Sequence, residues 1–414
     1  MNYSKENLLE RFVRYAKTYS QSDEKSADAG NIPSTPQEWD MAKLLESEMK
    51  SLGLEKVHIT PHCYVYGVLP ASAGEESAAP FALFAHMDTV EEVSGKDVKP
   101  QIIREYDGSL ITLSEGSTID PETDEALRLA GEERDTIITS DGTTLLGADD
   151  KAGVAAIMTA IEALKGEKHG TIEVIFSPDE ETGHGMDKVP LDEIQSKKAY
   201  TVDGGHIGEL ETECFNAFKS EITFTGKSLH TGSARPKMVN AVTMASAFVA
   251  NLPRQEAPET TDGYMGFYAP MEISGSVERA SVELLLRDFT AEGMEARKAF
   301  VDSLADVTAR SFGGKADVKH TEQYRNMKGK LDEHPEVVSN LVAAYRAAGV
   351  EPVMQPIRGG TDGSRLTEMG IPTPNIFTGG HNYHSRTEWL SFNQLCKATE
   401  VLIALSQISL KDKK

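Results

Sequence analysis

The residues able to do chemistry in this chain are carboxylates and imidazoles, and they recur in one kind of place, directly after an apolar run. Phe81 to Ala85 ends in His86-Met87-Asp88-Thr89, and Ile172 to Phe176 ends in Ser177-Pro178-Asp179-Glu180-Glu181. Ala199 to Val202 ends in Asp203, and Leu145 to Ala148 runs into Asp149-Asp150. Each cluster has a plain structural reading. An Asp before a helical run such as Val154 to Leu164 is a favoured N-cap and suits the positive end of the helix dipole. A His at a strand end is often structural, and Asp179 to Glu181 reads as a solvated acidic loop. One Asp is enough for a cap, however, and adjacent carboxylates repel unless a cation or strong donors lie between them. If all these groups share one cleft, their charge cannot be buried without a cation.

The elements that must position them follow from the spacing. The apolar runs have the length and continuity of strands buried on both faces. Helix-sized segments separate them, as βαβ units require. In a mostly parallel sheet the C-terminal strand ends share one edge, where open α/β sheets place ligands. The pattern therefore predicts that His86, Asp88, Asp149, Glu180, Glu181 and Asp203 converge. His86 and Asp88, two apart on a strand, face the same way, as a metal ligand and its orienting carboxylate would. A last strand, Pro374 to Phe377, leads to His381-Asn382-Tyr383-His384, where spacing alone leaves both histidines eligible as a nitrogen ligand. Histidine mixed with carboxylates suits zinc, manganese or cobalt better than calcium or magnesium. One Asp bridging two metals ~3.5–4 Å apart is the usual device of co-catalytic hydrolases.

The remaining chain reads as scaffold around that edge. Leu8 to Ala16 has amphipathic helical spacing. Thr35-Pro36-Gln37-Glu38 has the form of a capping box for a helix running to Gly53, with no functional signal. Residues 91–144 read as short strands and turns with one acidic helix near Pro121 to Ala130. After residue 212 the character changes: strand candidates at Cys214 to Phe224 and Met271 to Phe289, the latter broken at Ser274-Gly275, alternate with helical patterns at Val239 to Leu252 and Ala291 to Ala309. The expected fold is α/β, a mixed, mostly parallel sheet flanked by helices, with an inserted smaller α+β lid domain. The expected boundaries are 1–212, 213–325 and 326–414. Two groups in the insert could be chemical, His230 in a polar turn and Arg287 in an apolar run. Arg358, in a glycine-rich turn after the strand Pro352 to Ile357, offers a fork for an anion.

Composition narrows the class. Acidic residues outnumber basic ones 65 to 42, a formal charge of −23, which argues against nucleic acid or an anionic membrane as partner. Cys63, Cys214 and Cys396 lie far apart without a C-x-x-C pair, so a reducing cytosol is expected. Met1 to Ser20 carries charges throughout and does not read as a signal peptide. No run approaches the ~20 apolar residues of a membrane span.

His86-x-Asp88, Gly147-Ala148-Asp149-Asp150-Lys151-x-Gly153, Asp179-Glu180-Glu181-x-Gly183, Val202-Asp203-Gly204-Gly205 and the His384 segment resemble the motif series of the co-catalytic zinc exopeptidases. That clan includes carboxypeptidase G, aminoacylase and succinyl-diaminopimelate desuccinylase. Within it the chain most resembles the tripeptide aminopeptidases of the peptidase T family, on Leu145 to Gly153, Tyr200 to Gly205, Met238 to Ala241, Arg287 to Phe289, Pro356 to Gly363 and Phe377 to Gly380. The resemblance runs from near residue 30 to the C-terminus. It implies a cytosolic metallo-aminopeptidase acting on tripeptides with two zinc ions, or manganese or cobalt in their place. By the same resemblance Asp149 bridges the metals, His86 and Asp203 complete one site, and Glu181 and His384 complete the other. Asp88 orients His86, Glu180 is the general base, and His230 stabilises the oxyanion, in dimeric members from the neighbouring subunit. Arg287 and Arg358 match positions suited to the substrate's terminal carboxylate. A homodimer through the lid domain follows as an expectation. The chain departs from the family pattern at His206 and His381, where Gly and Tyr are expected, and in Ala71 to Pro80 and the stretch after Thr89, which bear on substrate preference. A dipeptidase, carboxypeptidase or N-acyl-amino-acid hydrolase of the same clan is the enzymatic alternative. A non-catalytic metal or peptide binder is the alternative from another class, and the presence of Glu180 speaks against it.

Overall fold

The computed structural model describes residues 3–413. The chain divides into two compact units, one formed by 1–212, 329–355 and 361–414, the other by 213–328 and 356–360. The first unit is built on an eight-stranded sheet. Its strands run in the order Glu55–Ile59, Val65–Leu69, Ile172–Ser177, Phe81–His86, Ala199–Gly204, Asn375–Phe377, Glu209–Cys214 and Val353–Ile357. The four strands from Ile172–Ser177 to Asn375–Phe377 pair in parallel, while Val65–Leu69 and Glu209–Cys214 pair with them antiparallel. The parallel strands are largely apolar on both faces because both are covered, and the buried Glu173 among them is satisfied by Tyr66 and Ser196. Leu83, Ala85, Val174 and Phe176 pack in one core with Phe12 and Tyr15 of the helix Lys5–Ala16, Met41 and Met49 of Glu38–Leu52, Ile157 of Ala148–Ala163 and Leu402 of Phe392–Ile408. The alternate residues Ala82, Phe84 and Ile175 pack on the other face with Met186, Ile194 and Leu366. This is the period-two alternation of a strand with a core on each side.

The second unit is a four-stranded antiparallel sheet in the order Phe267–Gly275, Arg279–Asp288, Asn216–Thr225, Lys315–Tyr324. Its core joins inward residues such as Ile222, Phe224, Val282 and Leu284 to Met244 and Phe248 of the helix Ala241–Ala250 and Val301 and Ala305 of Ala291–Phe312. The single broken strand expected over Met271 to Phe289 is a hairpin of two strands, turned after Gly275 at φ +137°, a value open to glycine and closed to residues with a Cβ. The segment Pro356–Gly360, which includes Arg358, packs with this unit. Among the described residues no helix is long and apolar enough to cross a membrane.

One expected local feature is different. The helix after Thr35 begins at Glu38, and its cap residue Gln37 makes no side-chain cap bond. Instead, the Thr35 N–H and hydroxyl both donate to Glu38 Oε1, at 3.1 Å each. The Glu38 carboxylate therefore serves groups outside its own helix.

Candidate active site

The four parallel strands end on one edge, and the acidic clusters lie there. Asp149 is the centre. Gly147, at φ +77°, turns the chain, and the helix Ala148–Ala163 is interrupted in its first turn at Asp149 (ψ 109°) and Asp150. The two aspartates divide the two readings of the sequence between them. Asp150 is fully buried and acts as the cap: its Oδ1 accepts the Gly153 N–H at 3.2 Å, and its Oδ2 accepts the His86 N–H at 3.2 Å. Asp149 is turned the other way, with Oδ1 at 3.0 Å from His86 Nε2 and Oδ2 at 3.3 Å from His384 Nε2. Gly153 lets this helix lie against the strand that carries Asp203, because a Cβ there would fall 1.8 Å from the Val202 carbonyl oxygen.

Around Asp149 the donors form two groups. His86, Asp149 and Asp203 can bring one atom each within 4.8 Å of one another, and so can Asp149, Glu181 and His384. In the first group His86 Nε2 lies 3.6 Å from Asp203 Oδ1. Its Nδ1 faces Asp88, 3.3 Å from Oδ1 and 3.2 Å from the carbonyl oxygen. Nδ1 is therefore held by Asp88, and Nε2, which donates to Asp149 in the absence of an ion, is the ring nitrogen left to ligate one once its proton is lost. In the second group His384 Nε2 lies 3.0 Å from Glu181 Oε2. His381 is directed elsewhere, its ring stacked on Trp389 with centroids 4.1 Å apart and tilted against His206 at 5.4 Å. Glu180 sits on the same turn as Glu181, with a carboxyl that belongs to neither group.

The electrostatics are those of a crowded anionic cleft. Burial, then the charge of neighbouring Asp149, pushes the Glu181 carboxyl up to about 7. Burial pushes Asp203 up to about 7 as well. Burial raises Glu180 well above the carboxylate range, with the charges of Asp203, Asp362 and Glu181 adding to it. Asp149 moves the other way: burial opposes its charge, but hydrogen bonds from His384 and His86 hold it well below its usual value. Hydrogen bonds to Asp149 and Glu181 raise His384 to about 11. This donor set fits divalent cations. Imidazole nitrogens and carboxylate oxygens are brought to two common points, and Glu181 Oε1 is buried without a partner of its own.

Several residues that hold the site in place were not singled out by sequence. Glu388, 1% exposed, accepts three backbone N–H bonds from the loop carrying Asp149: Leu146 at 2.7 Å, Gly147 at 2.8 Å and Asp149 at 3.1 Å. The Asp203 N–H donates to Asn375 Oδ1 at 3.0 Å, and Asn375 Nδ2 donates to Glu211 Oε2 at 2.6 Å. Lys151 is buried, donates to the Thr18 carbonyl at 2.6 Å, and is pushed down to about 8 by that burial. Only Lys151 stood in a quoted motif. The partners of Glu388 are more than two hundred positions away, which no local pattern reports.

His230, Arg287 and Arg358 belong to the second unit. His230 is exposed, and its Nδ1 accepts the Gly232 N–H at 3.2 Å. Arg287 Nη1 donates to the Leu286 carbonyl at 3.0 Å, and the guanidinium lies 5.5 Å from the Tyr324 ring centroid. The Arg358 guanidinium is engaged by the loop 261–265: Nη1 donates to the Gly263 and Met265 carbonyls at 2.8 and 2.9 Å, and Nη2 to Thr261 Oγ1 at 2.8 Å.

Residues 139–407 match the peptidase family M20/M25/M40. Peptidase T of Geobacillus thermodenitrificans (strain NG80-2) is 43% identical over 408 residues, 98% of each chain. Among solved structures, aminopeptidase PepT from Bacillus cereus ATCC 10987 superposes with a TM-score of 0.77 at 26% identity, covering 99% of this chain and 100% of that one. A tripeptidase from Staphylococcus aureus subsp. aureus Mu50 superposes with a TM-score of 0.78 at 20% identity, again over 99% and 100%. At that identity the second structure speaks for the fold alone.

Proposed function

The chain belongs to the M20/M25/M40 peptidase family, and from that premise we propose that it is a di-metal aminopeptidase releasing the N-terminal residue of tripeptides in the cytosol. The observation that carries the reading is the double engagement of Asp149, one oxygen facing His86 and the other facing His384. His86, Asp149 and Asp203 would hold one ion, and Asp149, Glu181 and His384 the other. Zinc is the ion this set suits best, with manganese or cobalt as substitutes. When bound, such a pair supplies Lewis acidity at the peptide carbonyl and lowers the pKa of water.

The chain's own residues do the rest. Asp88 keeps the His86 ring in the tautomer that presents Nε2. Glu180 takes a proton from the attacking water and passes it to the leaving amine. Its raised affinity for a proton, caused by burial, suits a group that must hold one between the two transfers. His230 is the candidate donor to the oxyanion, and its exposure leaves it able to serve the site of a neighbouring subunit in a homodimer formed through the second unit. Of the two arginines assigned to the substrate carboxylate, Arg287 fits that role better, because the donors of Arg358 are already engaged by Thr261, Gly263 and Met265.

The test is a small panel assayed with and without chelator. A free tripeptide is cleaved by the zinc-loaded protein, the dipeptide and the N-acetylated tripeptide are not, and chelation stops the reaction. Chelator-insensitive cleavage, or full activity in Glu180→Ala, overturns the reading. Preferred cleavage of the acetylated peptide moves it to an acyl-amino-acid hydrolase of the same family.

A further inference from the structure

Three consecutive backbone N–H groups of the acidic turn are received by buried carboxylates. The Asp179 N–H donates to Glu38 Oε2 at 3.2 Å, the Glu180 N–H to Asp88 Oδ1 at 3.1 Å, and the Glu181 N–H to Asp88 Oδ2 at 3.3 Å. Asp88 has a reason to be there, since it also faces the His86 ring. Glu38 is in neither ligand group and lies 141 positions from Asp179 in sequence, yet it is fully buried.

What Glu38 does is visible in its partners. Its Oε1 is fixed by the Thr35 N–H and hydroxyl, which leaves Oε2 for Asp179. The neighbouring Ser34 N–H donates to Asp179 Oδ2 at 2.8 Å. Asp179 is therefore gripped at its amide and at its carboxylate by one short segment, residues 34–38. It needs the grip: its backbone is left-handed, at φ +57° and ψ +25°, a conformation that residues with a Cβ seldom adopt. That turn is what aims the next two side chains, and both are assigned to the reaction.

We infer that Glu38 is a positioning residue for the Asp179-Glu180-Glu181 turn, holding its first residue so that Glu180 and Glu181 keep their register against Asp149 and His384. The inference rests on the reading of Glu180 as base and Glu181 as ligand. It also makes a distinction: through Asp179, Glu38 bears first on the turn that carries Glu181, while the strand-end ligands His86 and Asp203 make no hydrogen bond to it among the described residues.

Two variants of the full chain test it, Glu38→Ala and Glu38→Gln, each stripped of metal, titrated with zinc alone and then assayed on a tripeptide. Loss of a partner behind a ligand costs about 10–100-fold in metal affinity or activity, so E38A is expected to hold one zinc as the parent does, to bind the other about tenfold more weakly, and to lose about tenfold or more in kcat at saturating zinc with KM within about twofold. E38Q keeps one acceptor oxygen and recovers part of both losses. Parental zinc affinities and kcat in E38A overturn the inference. So does parallel weakening of both zinc ions in the two variants with an equal fall in melting temperature, which marks a folding role. Should E38A fail to fold, E38Q decides alone: one zinc weakened and kcat reduced supports the inference, and parental values overturn it. If the parent protein takes up no pair of zinc ions, or Glu180→Gln keeps the full rate, it is the reading of the site that has failed.

Discussion

The two ligand groups that share Asp149 are built from different parts of the fold. His86 and Asp203 come from the ends of adjacent parallel strands, with side chains 1% and 11% exposed. Glu181 comes from a tight turn and His384 from a loop, where His384 sits at φ +58° with its side chain 44% exposed. A ligand at a strand end is placed by the hydrogen-bond ladder of the sheet. A ligand on a loop depends more on added support, and the structure shows it: Glu38 and Asp88 receive the amides of the acidic turn, Asp88 also facing the His86 ring, and Glu388 stands behind the loop of the shared Asp149. The strand-borne side is therefore expected to be the tighter and the loop-borne side the more labile.

Removing the shared ligand is the most severe disturbance. Asp149→Ala takes a carboxylate from both groups at once, so both metals are lost and kcat/KM falls by about 10³-fold or more, the scale on which loss of a reaction's central group is felt. Metal analysis alongside a tripeptide assay reads this, and loss of only one ion would mean that Asp149 is not shared. Next comes the asymmetry itself. On dialysis against a graded chelator one ion leaves well before the other. His384→Ala is expected to abolish the weaker event and leave the stronger, while His86→Ala weakens the stronger by more than the roughly 10–100-fold typical of outer partners. Two indistinguishable ions in the parent protein would dissolve the distinction between strand-borne and loop-borne ligands.

What the sequence made legible divides along the same line. The largely apolar runs leading to His86, Glu181 and Asp203 announce both the strands and the edge, because a strand buried on both faces is mostly apolar and its ligands stand at its exit; buried Glu173, hydrogen-bonded by Tyr66 and Ser196, is an exception within them. Asp149 and Asp150 were ambiguous as a pair, since cap and ligand are both good uses of an Asp before a helix. Only the fold separates them, Asp150 bonding Gly153 and Asp149 facing two histidines. The supports were invisible for a different reason. Glu38 resembles an ordinary capping-box glutamate, and Glu388 is one carboxylate in a loop after His384; each gains its meaning from a backbone amide far away in sequence. Glu388→Ala tests this directly. It strips the acceptor from three N–H groups that hold the Asp149 loop, so an effect of about 10–100-fold on activity is expected, shared by both ions and not confined to one as for Glu38.

The smallest expected effect belongs to the strand-borne side and is read by pH. Glu211 is pushed up to about 8, chiefly by burial, and it receives the Asn375 amide whose oxygen holds the Asp203 N–H. An unfolded Glu releases its proton near 4.3, so between there and about 8 the folded, metal-free protein retains a proton that the unfolded chain gives up. Where the folded state binds the extra proton, stability falls as pH rises, and the fall from this group ends above about 8. Glu211→Gln cannot ionise and keeps an oxygen for Asn375. Its melting temperature should therefore decline less than the parent's between pH 5 and pH 8.5, by about 5 °C in a protein of this size, followed by thermal unfolding of the metal-free chains. Parallel curves for parent and variant would mean that Glu211 is ionised in the folded state. The Asn375 bridge to Asp203 would then be anchored by an ionised carboxylate in place of a neutral acid.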